Sequence, residues 1–396
     1  MSALRIGMVT REWPPKVYGG AGVHVNNLVA ALRSLSEKGS LTIDVHCFDG
    51  PRDDAHGYSL DPSLDEGSRK VNPALATMLI DHDIAMAIGR GASIDLVHSH
   101  TWYANFAGEL VRRAIGIPHV ITAHSLEPLR PWKAEQLGSG YAISSWIEES
   151  TYRNADAIIA VSDGMREDVL KSYPFLDPSK VKTIYNGIDS NRFAPNPSME
   201  FLTRAEIKGP FALFVGRITR QKGLAHLLRA WRRVTPDLGL VVAAGNPDEP
   251  AIGGEIETLI HELKEERGNI WHFPSMLTHD ELTELLTHAE AFLCPSIYEP
   301  LGIVNLEAMA CECPVIATSV GGIPEVVMHG VTGDLVPLSL KPEDFEFDFA
   351  ETINLLYADD QRRARYGKAG RERVQREFGW DRIAEQTRDL YRALVE

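Results

Sequence analysis

IDLVHSHTWYANFAGELVRRAIGIPHVITAHS, residues 94–125, holds two short apolar runs, IDLVHSH and HVITAHS, on either side of ANFAGELVRRAIG, whose apolar positions recur at helical spacing. The runs are apolar at consecutive positions instead of alternating with polar ones, which marks strands buried on both faces. Such strands joined by helices make a parallel sheet. The same alternation extends outward. Upstream lie RIGMVT, then GVHVNNLVAALRSL, and LTIDVHCF, then LATMLIDHDIAMAIG; downstream lie SSWIEESTYRNA, AIIAVS, MREDVLKSY and VKTIYNG. Residues 186–198, NGIDSNRFAPNPS, interrupt the pattern with Asn, Pro and Ser and no apolar period, which reads as a hinge. A second series then begins: FALFVGR, LGLVVAAG, NIWHFPS, AFLCPS, CPVIATS and GDLVPL. The pattern predicts an α/β protein of two Rossmann-like, doubly wound domains, residues 1–190 and 191–378, with a last helix at 379–396 returning to the first. Ligands of such sheets bind beyond the carboxyl ends of the strands, so the chemistry is expected in those loops and in a cleft between the domains that closes against water.

The length agrees. At 396 residues the chain exceeds the ~250–300 at which single cores stop growing. No window approaches the roughly 18 consecutive apolar residues of a membrane span, and MSALRIGMVT runs straight into a strand pattern without a charged leader, so a cytoplasmic protein is expected. A formal charge of −15 works against nucleic acid and anionic membranes as partners, and any anionic ligand needs dedicated Lys, Arg or backbone N–H groups. Cys47, Cys294, Cys311 and Cys313 form no C-x-x-C pair, which predicts buried thiols and no structural zinc. The oligomeric state is not legible here.

Three loops carry candidate chemistry. Gly19, Gly20 and Gly22 precede a helix starting near Val23; they suit either a tight turn or phosphate on free helix amides. A dinucleotide fingerprint fails because Val25 stands where its third glycine belongs, and no P-loop motif is present. GRITRQKG, residues 216–223, sets Arg217 and Lys222 after the first strand of the second domain, where fixed cations stabilise a departing diphosphate; Arg220 reads equally as surface. In SIYEPLGIVNLEAMAC, residues 296–311, Pro300 suits a helix start near Leu301, and Gly302, Ile303 and Val304 would then present free amides to an anion. Glu299 precedes that helix. Glu307 lies inside it among apolar residues, as an acceptor of ligand hydroxyls such as a ribose diol or as half of a salt bridge. His98, His100 and His124 fall at strand ends. The first two share a face only if their strand is regular, and with no adjacent carboxylates metal binding is not expected. Hydrogen bonding of His124 to a sugar hydroxyl is preferred. Asp81 and Asp83 form a D-x-D, read as the first turn of a helix and not as a metal site.

Taken together, TREWPPKVYGGAGVHV, TAHS, VSDGM, YNGID, GRITRQKG, EPLGIVNLEAMA and GGIPEVV resemble, in this order, the retaining GT-B glycosyltransferases that include glycogen and sucrose synthases. REWPPKVYGGAGVHV, HSHTWYAN and SLEPLRPWKAEQLGSGY are most similar to the actinobacterial branch that makes α-maltose 1-phosphate from ADP-glucose and glucose 1-phosphate. The resemblance implies that Gly20 approaches the distal phosphate, Arg217 and Lys222 hold the diphosphate, and Glu307 takes the ribose hydroxyls. It implies further that Glu299 with the Gly302, Ile303 and Val304 amides holds glucose, and that His124 lies near the sugar 6-hydroxyl and the reacting carbon. His124, Arg217, Lys222 and Glu299 are the implied catalytic set, with no tightly bound cofactor and no metal. An acceptor phosphate needs cations of its own; Arg11, Lys16, Arg130 and Lys133 stand on loops after strands, with Trp132 as a stacking face. Arg130 and Lys133 are preferred. Polymer-making relatives carry Lys-x-Gly-Gly-Leu in the first loop, whereas here Val17 and Tyr18 separate Lys16 from Gly19, and Ser144 stands where some phosphate-using relatives place Arg. Retention without a well-placed second acid suggests front-face substitution, with the leaving phosphate taking the acceptor proton. Three other readings stay open. They are a glycogen synthase, a glucan phosphorylase, which should be longer and hold pyridoxal phosphate, and a silent nucleotide-sugar binder, which should have lost Arg217, Lys222 or Glu299.

Overall fold

The computed structural model describes residues 3–17, 19–36, 41–64, 71–91, 93–130 and 138–396. The chain divides into two units, residues 1–187 with 380–396, and residues 188–379. In the first unit seven parallel strands, β1 (Leu4–Thr10), β2 (Leu41–Phe48), β3 (His56–Tyr58), β4 (Leu96–His100), β5 (His119–Ala123), β6 (Ala157–Ala160) and β7 (Val181–Thr183), lie in the order β3-β2-β1-β4-β5-β6-β7. The second unit holds β8 (Phe211–Ile218), β9 (Gly239–Pro247), β10 (Ile270–Phe273), β11 (Ala291–Cys294), β12 (Val315–Thr318) and β13 (Gly333–Val336), all parallel, in the order β10-β9-β8-β11-β12-β13.

Burial explains the strands. Every residue of β4 and of β5 is buried, as consecutive apolar runs require when helices cover both faces. The intervening helix, Trp102–Ile115, ends at Gly116, whose φ of 76° closes the last turn in the left-handed conformation that glycine adopts without strain. In each sheet the strand order reverses beside the first strand, between β1 and β4 and between β8 and β11. Backbone loops diverge at such a reversal and leave a crevice past the strand ends, so the loops after β1, β4, β8 and β11 are the candidate ligand positions.

Helix Trp380–Val395 belongs to the first unit and packs on helix Gly20–Ser36. Its Ile383, Ala384 and Tyr391 join a core with Ile6, Val25, Leu28 and Leu32. The core of the second unit gathers Phe214, Leu227, Trp231, Leu240, Ile256, Phe345 and Phe349. No helix among the described residues is long and apolar enough to cross a membrane. All four cysteines are buried and free.

Three local expectations are corrected. The first helix begins at Gly20, three residues before Val23, because the glycine loop itself enters the helix. Asp81 and Asp83 lie in the middle of helix Pro73–Arg90, not in a first turn: Asn72 caps that helix with its side chain and Pro73 opens it. The helix expected from Leu301 starts at Ile303, because Gly302 adopts a φ of 94° and forms the cap.

Candidate active site

In the second unit the loops after β8 and β11 interlock. Gly223, in the left-handed region at φ 65°, lies so close to the next loop that an added Cβ would stand 2.0 Å from the Pro295 carbonyl oxygen. The Ile297 amide donates to the Gln221 carbonyl at 2.9 Å. This contact brings Lys222 onto Glu299: Nζ stands 2.6 Å from Oε2, and Ser296 Oγ donates to the same oxygen at 3.2 Å. Glu299 is only 7% exposed. Burial works against the Lys222 ammonium, yet the Glu299 carboxylate outweighs it and holds the lysine pKa above its usual value. Arg217 and Arg220 point outward, Arg217 to Asp248 at 3.0 Å and Arg220 to Glu249 at 3.2 Å. Ile303 and Val304 occupy the first turn of helix Ile303–Ala310, where their amides have no intrahelical acceptor. Gly302 precedes that turn.

Glu307 answers the alternative left open by its sequence. Among the described residues it has no ion-pair partner within 4.0 Å, and burial pushes its carboxyl up to about 7, with Arg192 and Lys222 pulling the other way. The salt-bridge reading is set aside. A half-buried carboxylate without a partner is an acceptor waiting for donors.

In the first unit, a cavity of about 250 Å³ opens beyond β1 and β4, lined by Thr10, Arg11, Glu12, Ala21, Gly22, Thr101 and Tyr103. The Arg11 guanidinium lies over the Tyr103 ring at 4.1 Å. Gly20, Ala21 and Gly22 form the first turn of their helix, where amides lack intrahelical acceptors, while the Gly19 amide is taken by Glu12 Oε2 at 2.8 Å. Thr101 holds a φ of 66°, which a β-branched residue adopts only under local strain. Sequence reading missed Glu12, Thr101 and Tyr103; the available signal was their place at the ends of β1 and β4, beside the reversal.

The acceptor cations separate. Arg11 lines the cavity and Lys16 is exposed on the turn after β1. Arg130 is engaged within the protein: its Nη2 lies 2.8 Å from Oε1 of fully buried Glu127. Ser144 Oγ donates to the other Glu127 oxygen at 2.8 Å, and Glu148 Oε1 accepts from the Glu127 amide at 2.8 Å. The Arg130 charge therefore compensates a buried acid in the free protein, as Lys222 compensates Glu299. Lys133 and Trp132 lie outside the described residues.

His98 and His100 do share a face of β4, with ring centroids 4.3 Å apart. His98 is fully used, its Nδ1 bonded to Tyr391 Oη at 2.6 Å and its Nε2 to Thr122 Oγ1 at 2.8 Å. His24, His100 and His124 each bring a ring nitrogen within 4.8 Å of the others, the one such group among the described residues that could take a zinc-like ion. Two of them are already bonded, since His100 Nδ1 meets His124 Nε2 at 3.0 Å and His100 Nε2 meets Met8 Sδ at 3.1 Å. An ion would have to break those contacts. His24, 3% exposed, was not recognised from sequence because it sits inside an ordinary helical pattern.

The reversal point of the second unit carries a lysine–glutamate pair and a lone acid on a helix, and that of the first unit carries a cavity lined by a cation. Residues 201–373 match the family model described as glycosyl transferases group 1, and residues 18–192 match glycosyltransferase family 4. The chain belongs to the GT-B glycosyltransferases. It is 49% identical over 395 residues to an alpha-maltose-1-phosphate synthase of Mycolicibacterium smegmatis, covering 98% of this chain and 99% of that one. A glycogen synthase of Mycobacterium tuberculosis is 29% identical over 420 residues, covering 98% of this chain and 95% of the relative. Among solved structures, a sucrose-phosphate synthase from Thermosynechococcus elongatus superposes with a TM-score of 0.77 at 25% identity, covering 99% of each chain.

Proposed function

We propose that this enzyme transfers glucose from ADP-glucose to the 4-hydroxyl of glucose 1-phosphate, with retention, giving α-maltose 1-phosphate for α-glucan synthesis. The observation that carries this reading is the 49% identity to a synthase of that product over nearly the whole of both chains. Glycogen synthase, represented at 29%, is the competing reading.

In this mechanism the bond between glucose C1 and the distal phosphate oxygen breaks, a bond from C1 to the acceptor oxygen forms on the same face, and the acceptor's proton passes to the departing phosphate. Arg217, Lys222 and the Gly20 turn stabilise charge gathering on the diphosphate. Lys222 exchanges Glu299 for phosphate. Glu299 and the first-turn amides of Gly302, Ile303 and Val304 then hold the sugar hydroxyls, Glu307 accepts from the ribose, and His124 meets the 6-hydroxyl. Arg11, which lines the 250 Å³ cavity, and Lys16, exposed on the loop after β1, support a phosphorylated acceptor. The substrates are small and soluble, which suits a cytoplasmic enzyme, and no resident cofactor takes part.

The test incubates purified protein with ADP-glucose and either glucose 1-phosphate or glycogen, follows ADP release and identifies products by NMR. Rapid formation of an α-1,4-linked disaccharide phosphate is expected. Elongation of glycogen with glucose 1-phosphate inert would refute the proposal in favour of the polymerase.

A further inference from the structure

Both ring nitrogens of His100 are accounted for, and one of its partners cannot donate. Nε2 lies 3.1 Å from Met8 Sδ, and a thioether has lone pairs but no hydrogen, so the proton in that contact sits on Nε2. His100 is 1% exposed, leaving no solvent to serve that nitrogen instead. Burial pulls the His100 and His124 pKa values down, His124 to about 4, so both rings are neutral at physiological pH and each carries one proton. With its proton on Nε2, His100 offers a bare Nδ1 to His124 Nε2, 3.0 Å away. His124 must be the donor there. Its own proton is thereby committed to Nε2, and its Nδ1, which makes no hydrogen bond among the described residues, is left as a lone pair on a part-exposed ring.

We infer that Met8 and His100 are positioning residues that fix the tautomer of His124, so that His124 presents a hydrogen-bond acceptor to the substrate and selects an uncharged hydroxyl at that point. The alternative tautomer would set the lone pair of His100 Nε2 against those of sulfur inside the core. The neighbouring rings do not compete for the relay. His24 lies edge-on to His124, with centroids 4.8 Å apart, and His98 is bonded to Tyr391 and Thr122. The register of the sheet builds the arrangement: Met8 on β1 pairs with His98 on β4, and His100 pairs with Thr122 on β5, two residues before His124. A bare imidazole nitrogen accepts from an alcohol but gains nothing from an ether oxygen or fluorine and is repelled by an anion. Resting on the glucosyl-transfer reading, the hydroxyl is the donor sugar's 6-hydroxyl.

The experiment has two arms on the full-length protein. In the first, 15N-histidine labelling with long-range proton–nitrogen correlation at neutral pH reports which nitrogen of each ring is protonated, with assignment from His100→Gln and His124→Gln. Nε2–H is expected for both rings, and Met8→Leu is expected to mix the forms and lower kcat about two- to tenfold with little change in KM. In the second, 6-deoxy and 6-deoxy-6-fluoro donors are expected to be equally poor, each down about tenfold or more. A His124 protonated on Nδ1, tautomers untouched by Met8→Leu, or a fluoro donor clearly better than the deoxy donor would each overturn the inference. A wild type that transfers no glucose at all refutes the proposed function instead, because the tautomer arm needs no turnover.

Discussion

Replacing Glu307 by Gln tests the donor half of the site through two opposed effects. Burial raises the carboxyl from 4.5 to about 7 in the folded chain. The unfolded chain therefore loses this proton first, and the stability that Glu307 contributes in full below pH 4.5 is lost as pH rises towards 7. At about 1.4 kcal/mol per pH unit, ionisation costs the free protein about 3 kcal/mol as an upper figure, and solvent access to a half-buried group brings this to about 1–3 kcal/mol. Glu307→Gln removes the ionisation and keeps the shape. The variant should match wild type in denaturant unfolding near pH 4.5 and exceed it by about 1–3 kcal/mol near pH 8. A ribose diol donating to the carboxylate makes charge-assisted hydrogen bonds, so ADP binding measured by calorimetry should weaken by about 1.5–3 kcal/mol, or roughly tenfold to a hundredfold. A variant that is more stable and binds ADP as tightly as wild type would refute the ribose role. One that is less stable at pH 8 would mean that Glu307 serves the fold.

The other substitutions separate stability from catalysis. Asp81 is buried in the Pro73–Arg90 helix, its oxygens have no close hydrogen-bond partner among the described residues, and burial drives its pKa well above the usual carboxylate value against the opposing pull of the Ala107 amide; Asp81→Asn should stabilise the protein by about 1–3 kcal/mol at pH 8 and leave it unchanged near pH 3.5, and equal stability at both pH values would refute this. Lys222→Met should cost about 3–5 kcal/mol by stranding Glu299, and adding Glu299→Gln should restore thermal stability while ADP release stays abolished; a single variant as stable as the double would show that the pair is not coupled. Arg130→Met should lower stability through Glu127 and leave the acceptor KM unchanged in what remains active. A raised acceptor KM at unchanged stability would return Arg130 to the acceptor site.

What could be read from sequence was what is local in sequence. Consecutive apolar runs such as AIIA at 157–160 report burial on both faces without any partner being known. GRITRQKG and EPLGIVNLEAMA carry charge and glycine in fixed order on single loops, so Lys222, Glu299 and Glu307 could be singled out as candidates. That Lys222 and Glu299 form an ion pair was not, because it depends on two loops meeting across neighbouring strands. The pairing of Arg130 was hidden for the same reason: its sequence neighbours are polar and loop-like, while its partner is Glu127, buried against a helix that begins ten residues later. His24 and Met8 lie in ordinary helical and strand patterns, and their relation to His100 and His124 arises only when β1, β4, β5 and the first helix stack.

The pairing of cations in the free enzyme follows from its charge. In a chain with 55 acidic residues against 40 lysines and arginines, a cation readily finds a carboxylate of its own protein to pair with. Each candidate cation with a described partner has one close by: Lys222 holds Glu299, Arg217 holds Asp248, Arg130 holds Glu127, and Arg11 lies over Tyr103. These pairs differ in what breaking them costs. Arg217 is 62% exposed at its side chain, so its pair is weak and readily exchanged. Lys222 is half-buried and Glu299 buried, their side chains 22% and 9% exposed, and separating them is unfavourable unless both charges are satisfied at once. A diphosphate alone satisfies Lys222, and a sugar alone satisfies Glu299. Under the proposed function, a molecule that carries a diphosphate and a sugar on one bond satisfies both, and the pair is then expected to discriminate against either fragment in favour of the intact nucleotide-sugar.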